Sequence, residues 1–146
     1  KDEWNYWMSG IAMVKSPERH VAIARKNLKA IQDRVTLIDR KSEIFPGISM
    51  LPAPGNTPGH VIVSVSSSNE KLLYISDTVF HPLHLEHPEW LPIYDVVPEK
   101  AAVSKQSIFD RAVEKKSLVL GAHFPFPGLG YVIKKGNVWE WQPIER

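Results

Sequence analysis

Cysteine is absent from the 146 residues, so neither a disulfide framework nor a thiolate zinc site is available to this chain. Long apolar runs are missing too: none approaches the ~20 residues that span a bilayer, which argues against a membrane partner. Charge of one sign does not accumulate. Eighteen Lys and Arg stand against sixteen Asp and Glu, spread along the chain, and a scattered net charge of +2 argues against nucleic acid as the main partner. Low-complexity tracts and internal repeats are also lacking. What remains is an ordinary globular composition, 43% hydrophobic and 23% charged, in a length that suits one domain. The absence of cysteine fits a cytoplasmic setting. An initiator methionine is missing as well, and an opening at Lys1-Asp2-Glu3 reads as the middle of a longer chain.

Periodicity then divides the chain. The aromatic opening Trp4 to Met8 rests on no periodic element of its own. Ser16-Pro17-Glu18 reads as a helix start, with serine as N-cap and proline at the first helical position. Val21, Ala24, Leu28 and Ile31 recur behind it at helical spacing, which predicts an amphipathic helix over 17–33. Val35 to Ile38 and Ile48 to Leu51 are strand-like. Val61 to Ser66 and Lys71 to Ser76 flank Ser67-Ser68-Asn69-Glu70 as a hairpin. Residues 81–97, broken by Pro82, Pro88 and Pro92, read as a long functional loop. A second helix opens at Pro98 and runs to about Lys116, with Ala102, Ile108, Phe109 and Val113 inward. Leu118 to Leu120 is a buried strand, and Tyr131 to Ile133 with Val138 to Trp141 closes the chain as a hairpin over Lys135-Gly136-Asn137. The order predicts a mixed α/β (α+β layered) fold, helices on one face of a mostly antiparallel sheet.

The chemistry sits where strands end. His60 follows the rigid Thr57-Pro58-Gly59 turn at the mouth of a strand. Asp77 lies just past the strand ending at Ser76, and His123 just past the strand ending at Leu120. Neighbouring strands that end on one rim bring their next residues close together, and imidazole with carboxylate is the ligand set of a hydrolytic zinc, manganese or iron centre. A hydrogen-bonded loop histidine and a turn-capping aspartate are the alternative readings of the same residues. His81, His84 and His87 fall in the proline-rich loop. His81, four residues past Asp77, is a candidate for the pocket or for support of the site, whereas His84 and His87 read as solvated loop residues. His20 reads as incidental. Phe124, Phe126 and Trp90 are candidates for an apolar substrate wall, with core packing as the alternative.

The run Thr57-Pro58-Gly59-His60, then a strand, a hairpin, a strand leading to Asp77, and Gly121-Ala122-His123-Phe124-Pro125-Phe126-Pro127-Gly128, resembles the metallo-β-lactamase superfamily, nearest its lactonase-like and organophosphate-hydrolase-like branch. The resemblance runs from about Trp4 to Trp141. It implies that His60 binds the first metal, that Asp77 bridges both and is catalytic, and that His123 binds the second. Ser76 stands where the family usually has glycine, and Val61 where it often has threonine. The His-x-His-x-Asp-His motif of the family's N-terminal half is nowhere in the chain. Residues 1–146 therefore resemble a C-terminal half alone, half of an αββα sandwich.

With the missing half, the resemblance implies two divalent metal ions, zinc first and manganese or iron as alternatives. A water shared between them would have its pKa lowered to about 7 and attack an ester, lactone, thioester or phosphotriester. By itself the chain is expected to hold little or no metal and to be inactive, a truncated fragment. The expected partners are a small-molecule substrate and either a second copy of the chain, as a homodimer, or the missing N-terminal half. Either would cover the sheet face left bare, for which Val61, Val63, Val65, Leu73 and Ile75 are candidates. The competing readings are a non-catalytic interaction or dimerisation module and a small-molecule binding domain built on the histidine loop.

Overall fold

The computed structural model describes residues 1–39 and 42–145. One sheet organises them. Seven strands lie side by side in chain order: β1 (Ser42–Phe45), β2 (Ile48–Pro52), β3 (Val61–Ser67), β4 (Glu70–Tyr74), β5 (Leu118–Leu120), β6 (Leu129–Lys135) and β7 (Val138–Pro143). Every neighbouring pair is antiparallel except β4 and β5. A parallel pair needs a crossover, and α5 (Pro98–Glu114) supplies it, starting with proline in its first turn as the sequence predicts.

The core lies between α5 and one face of the sheet. Ile108, Phe109 and Ala112 from the helix meet Leu51, Ile62, Leu73, Ile75, Val119, Val132 and Trp139 from the strands. Ala101, not the predicted Ala102, is the buried alanine of the first turns of α5. The short helix α4 (Leu83–Glu86) interrupts the predicted loop and seats fully buried Leu85 in the same core.

Three further differences have local causes. The aromatic opening is helical: α1 (Asp2–Met8) and α2 (Gly10–Lys15) precede α3 (Glu18–Ile31). Asp2 and Glu3 occupy the first turn of α1, where acidic groups suit the helix dipole. The guanidinium of Arg25 caps its far end, donating to the carbonyl oxygens of Trp7 (3.0 Å) and Ser9 (2.7 Å). Ser16 does not cap α3; its hydroxyl pairs with the Tyr6 hydroxyl at 2.7 Å. Val35 to Ile38 form no strand.

The opposite face of the sheet is the other correction. Register puts Met50, Val63 and Tyr74 in one cross-strand row and Val65, Leu72 and Leu118 in another, all on the side away from α5. Leu73 and Ile75, expected on this bare face, point the other way and are 2% and 1% exposed in the α5 core. The period of two that puts Val63 and Val65 on one face sends Leu73 and Ile75 to the other.

Candidate functional site

Strand polarity decides which side chains can meet. Tyr74 pairs with Val63 on one side and Leu120 on the other, so the start of β3 and the ends of β4 and β5 share a rim. His60, Asp77 and His123 follow or precede those ends. Asp77 reaches the rim through a sharp exit. Ser76 takes φ 45°, and residues 76–78 close a 3₁₀ turn in place of the predicted last residues of the strand.

Asp77 and His123 are in contact: His123 Nε2 donates to Asp77 Oδ1 at 2.8 Å, with both side chains a little under half exposed. The ring of His123 is held from its face by Phe80, stacked at 4.7 Å between centroids. His60 is held differently. Its Nδ1 donates to the carbonyl oxygen of Ala53 at 3.1 Å, which leaves Nε2 as the lone-pair nitrogen. That Nε2 is buried and has no partner. His60 does not join the Asp77–His123 pair, and no group of three or more His, Cys, Asp or Glu among the described residues is placed to hold a metal ion.

The turn carrying His60 is fixed by α1. Thr57, 8% exposed, donates its hydroxyl to Glu3 Oε2 at 2.6 Å, while Trp7 Nε1 donates to Glu3 Oε1 at 2.6 Å. Gly59 permits the approach: a Cβ there would lie 2.1 Å from the backbone nitrogen of Glu3. A cavity of about 290 Å³ opens between this turn and the proline-rich segment, lined by Trp7, His20, Thr57, Asp77, Phe80, Ile93, Tyr94 and Asp95 among others.

The other candidates separate clearly. His81 is exposed, and its Nδ1 accepts the amide of Leu83 at 3.2 Å just before α4. Phe124 is a core residue, edge-on to Trp141 at 4.7 Å and only 7% exposed. It fills the space left by Gly121, where a Cβ would lie 2.6 Å from its ring. Phe126 is 83% exposed and does not line the cavity. Trp90 stacks on His87 at 4.1 Å.

No family model matches the sequence, and no curated protein matches it. Solved structures do. A dizinc quorum-quenching lactonase, AidC, superposes with a TM-score of 0.88 at 29% identity, over 100% of this chain and 53% of the lactonase. The hydrolase AbOPH of the β-lactamase superfamily gives 0.80 at 22%, over 100% and 54%. A probable metal-dependent hydrolase from Staphylococcus aureus gives 0.60 at 21%, over 73% and 42%. The chain has the metallo-β-lactamase fold. It spans about half the length of the first two structures it matches.

Imidazole and carboxylate are metal-ligating groups, and the rim side chains here are of that kind. The buried, unpartnered Nε2 of His60 is the state a metal-binding imidazole needs, with the second ring nitrogen anchored by a carbonyl. Asp77 and His123 present carboxylate oxygen and imidazole nitrogen together. The ligand types fit; their number among the described residues falls short of a metal site.

Sequence reasoning missed the cavity wall. Phe80, three residues past Asp77, was open to inspection as an aromatic near a candidate ligand. Trp7, His20 and Tyr94 carried no local signal, because only tertiary packing brings three separate segments to one opening.

Proposed function

We propose that this chain is the C-terminal half of a metal-dependent hydrolase, and that His60, Asp77 and His123 are its contribution to a dinuclear centre, with Asp77 catalytic. The observation that carries the reading is the buried lone pair of His60 Nε2, aimed at no group among the described residues. Zinc is the favoured metal, since the superposed lactonase AidC is dizinc. Bound metal would supply Lewis acidity and an acidified water at neutral pH. The chain's own residues do the rest. Ala53 fixes the ring of His60, Phe80 braces His123, and the Asp77 carboxylate, which pairs with His123 Nε2, would be the proton acceptor for the leaving group once that nitrogen gives up its proton to bind metal. The cavity beside Asp77 would hold an ester, lactone, thioester or phosphotriester, with a lactone favoured by the likeness to the lactonase AidC.

We further propose that the bare sheet face docks the N-terminal half, with a second copy of the chain as the alternative occupant. Self-pairing alone would mark the chain as a dimerisation module. Metal analysis of the whole protein, joined to hydrolysis assays on an acyl-homoserine lactone and a phosphotriester, tests the reading. About two equivalents of divalent metal and turnover lost on chelation are expected. Full activity after rigorous metal removal would sink it.

A further inference from the structure

The proline-rich segment 81–97 crosses the rim and supplies Ile93, Tyr94 and Asp95 to the cavity beside Asp77. Its two ends are tied down. Leu85 is buried in the core, and the amides of Val96 and Val97 donate to the carbonyl oxygens of Asn56 (3.1 Å) and Gly55 (2.9 Å) on the His60 turn. Its middle is different. No strand or long helix runs there, and Trp90, Leu91, Ile93 and Tyr94 are exposed.

Under that middle lies Lys105. It projects from α5 and is completely buried, which is rare for lysine, because an ammonium loses its hydration there. Its Nζ donates to the carbonyl oxygen of Trp90 at 2.5 Å. A protonated lysine has three donors, so two remain. Two buried acceptors without partners sit on the same segment, Nδ1 of His84 and Oδ2 of Asp95. Both residues lie within electrostatic reach of Lys105, as does Glu89. One donor is taken by Trp90; the other two make no direct bond to His84 Nδ1 or Asp95 Oδ2, so within this electrostatic reach the pairing closes through bridging water.

We propose that Lys105 is a positioning residue: a buried cation under segment 81–97 that latches it through Trp90, Asp95 and His84 and so sets the shape of the cavity beside Asp77. It does not touch Asp77 or His123. A lysine that merely filled core volume would be replaceable by methionine without consequence. Burial that disfavours its charge supports the inference that it is retained for those acceptors. The cavity role rests on the hydrolase reading; the latch does not.

Lys105→Met keeps the stem and removes the donors. In the whole protein, amide exchange over residues 84–95 should speed up by about ten-fold or more, while β4, β5 and the melting temperature hold. Metal content should not change, and KM should rise more than kcat falls. Unchanged exchange over 84–95 in a folded Lys105→Met protein would overturn the latch. If that variant fails to fold, Asp95→Asn decides by the same exchange measurement, faster exchange supporting the latch and unchanged exchange overturning it. Faster exchange with unaltered KM and kcat would overturn the cavity role. An inactive wild-type protein would remove the hydrolase reading and the cavity role with it, leaving exchange to decide the latch.

Discussion

At the scale of single residues, the site is a set of local conflicts with the rules that govern the rest of the chain. A buried nitrogen without a partner costs roughly 1–3 kcal/mol, and His60 keeps one at the mouth of β3. A non-glycine residue in the left-handed region costs about 1–2 kcal/mol, and Ser76 sits there at φ 45°. That turn is what delivers Asp77 to His123. Ser76→Gly should therefore raise stability by about 1 kcal/mol, read from chemical denaturation, and leave the rim intact. A destabilised glycine variant would show that the serine side chain has a further role. Asp77→Ala should act in the opposite way on function. Its carboxylate lies at a half-exposed rim, so the fold should survive while hydrolysis by the whole protein drops by about 10²-fold or more. Retention of near wild-type turnover would dismiss Asp77 as catalytic.

His84 makes a prediction about pH. Burial first, then the charges of Lys105 and His81, lowers its pKa below the ordinary 6.5. The folded protein thus binds fewer protons than the unfolded chain once pH drops below about 6.5, so this group's stability is present above that pH and lost on acidification. Asp95, pushed up chiefly by burial, acts the other way, because its folded form takes a proton first. Glu89 and Lys105 face the same cluster, with Lys105 lowered by burial. The clean measurement is a difference: His84→Gln should flatten the fall in melting temperature between about pH 7 and pH 5 relative to wild type. Parallel profiles would show that His84 titrates alike in the folded and unfolded chain.

Elements were legible in the sequence wherever one face of them is buried and the other is not. Helix α5 and the strands β3, β4 and β7 carry that alternation, and their boundaries differ from expectation by only a few residues. The rim positions of His60, Asp77 and His123 followed from strand ends, which periodicity marks well. Elements held by distant partners were not legible. Helix α1 depends on Arg25 from α3 at its C-terminus and on Thr57 holding Glu3, and neither is visible within eight residues of sequence. Val35 to Ile38 has strand composition but no place in the seven-strand ladder. Phe124 and Phe126 looked alike and are opposites, one seated over Gly121 in the core and one in solvent. The α1 contact can be tested as an element. Gly59→Ala would push a methyl group onto the backbone of Glu3, so it should loosen α1 and the His60 turn together, at a cost of about 2 kcal/mol or more. Unchanged exchange protection in α1 would show that the turn does not depend on it.

For the molecule as a whole, the sheet has two apolar faces and one cover. Helix α5 shields Leu73, Ile75 and Val119, whereas Met50, Val63, Val65, Leu72, Leu118 and Leu120 form rows on the other side that stay half-buried. Tyr74 and Tyr131 on that side are 36% and 42% exposed. Sheets that pack face to face do so about 10 Å apart, and a shared interior is what such rows are suited to form. An apolar patch of several hundred Å² is more than a soluble monomer usually leaves in water. At about 25 cal/mol per Å², roughly 400 Å² amounts to ~10 kcal/mol, the size of a domain's entire stability. The chain expressed alone should therefore not run as a monodisperse 16.6 kDa species in size exclusion with light scattering. A species of about twice that mass would support self-pairing, and a 1:1 complex on adding the N-terminal half would support the hydrolase assembly. Val63 gives the sharper test, since it stands between Met50 and Tyr74 in the middle of the open face. Val63→Asp would bury an unpaired carboxylate if another layer covers it, at a cost of about 3 kcal/mol or more in the whole protein. If the face is bare, the same substitution should be nearly neutral and should improve solubility. A neutral Val63→Asp, together with a stable monomer, would leave the sheet without a second layer and the proposed enzyme without its other half.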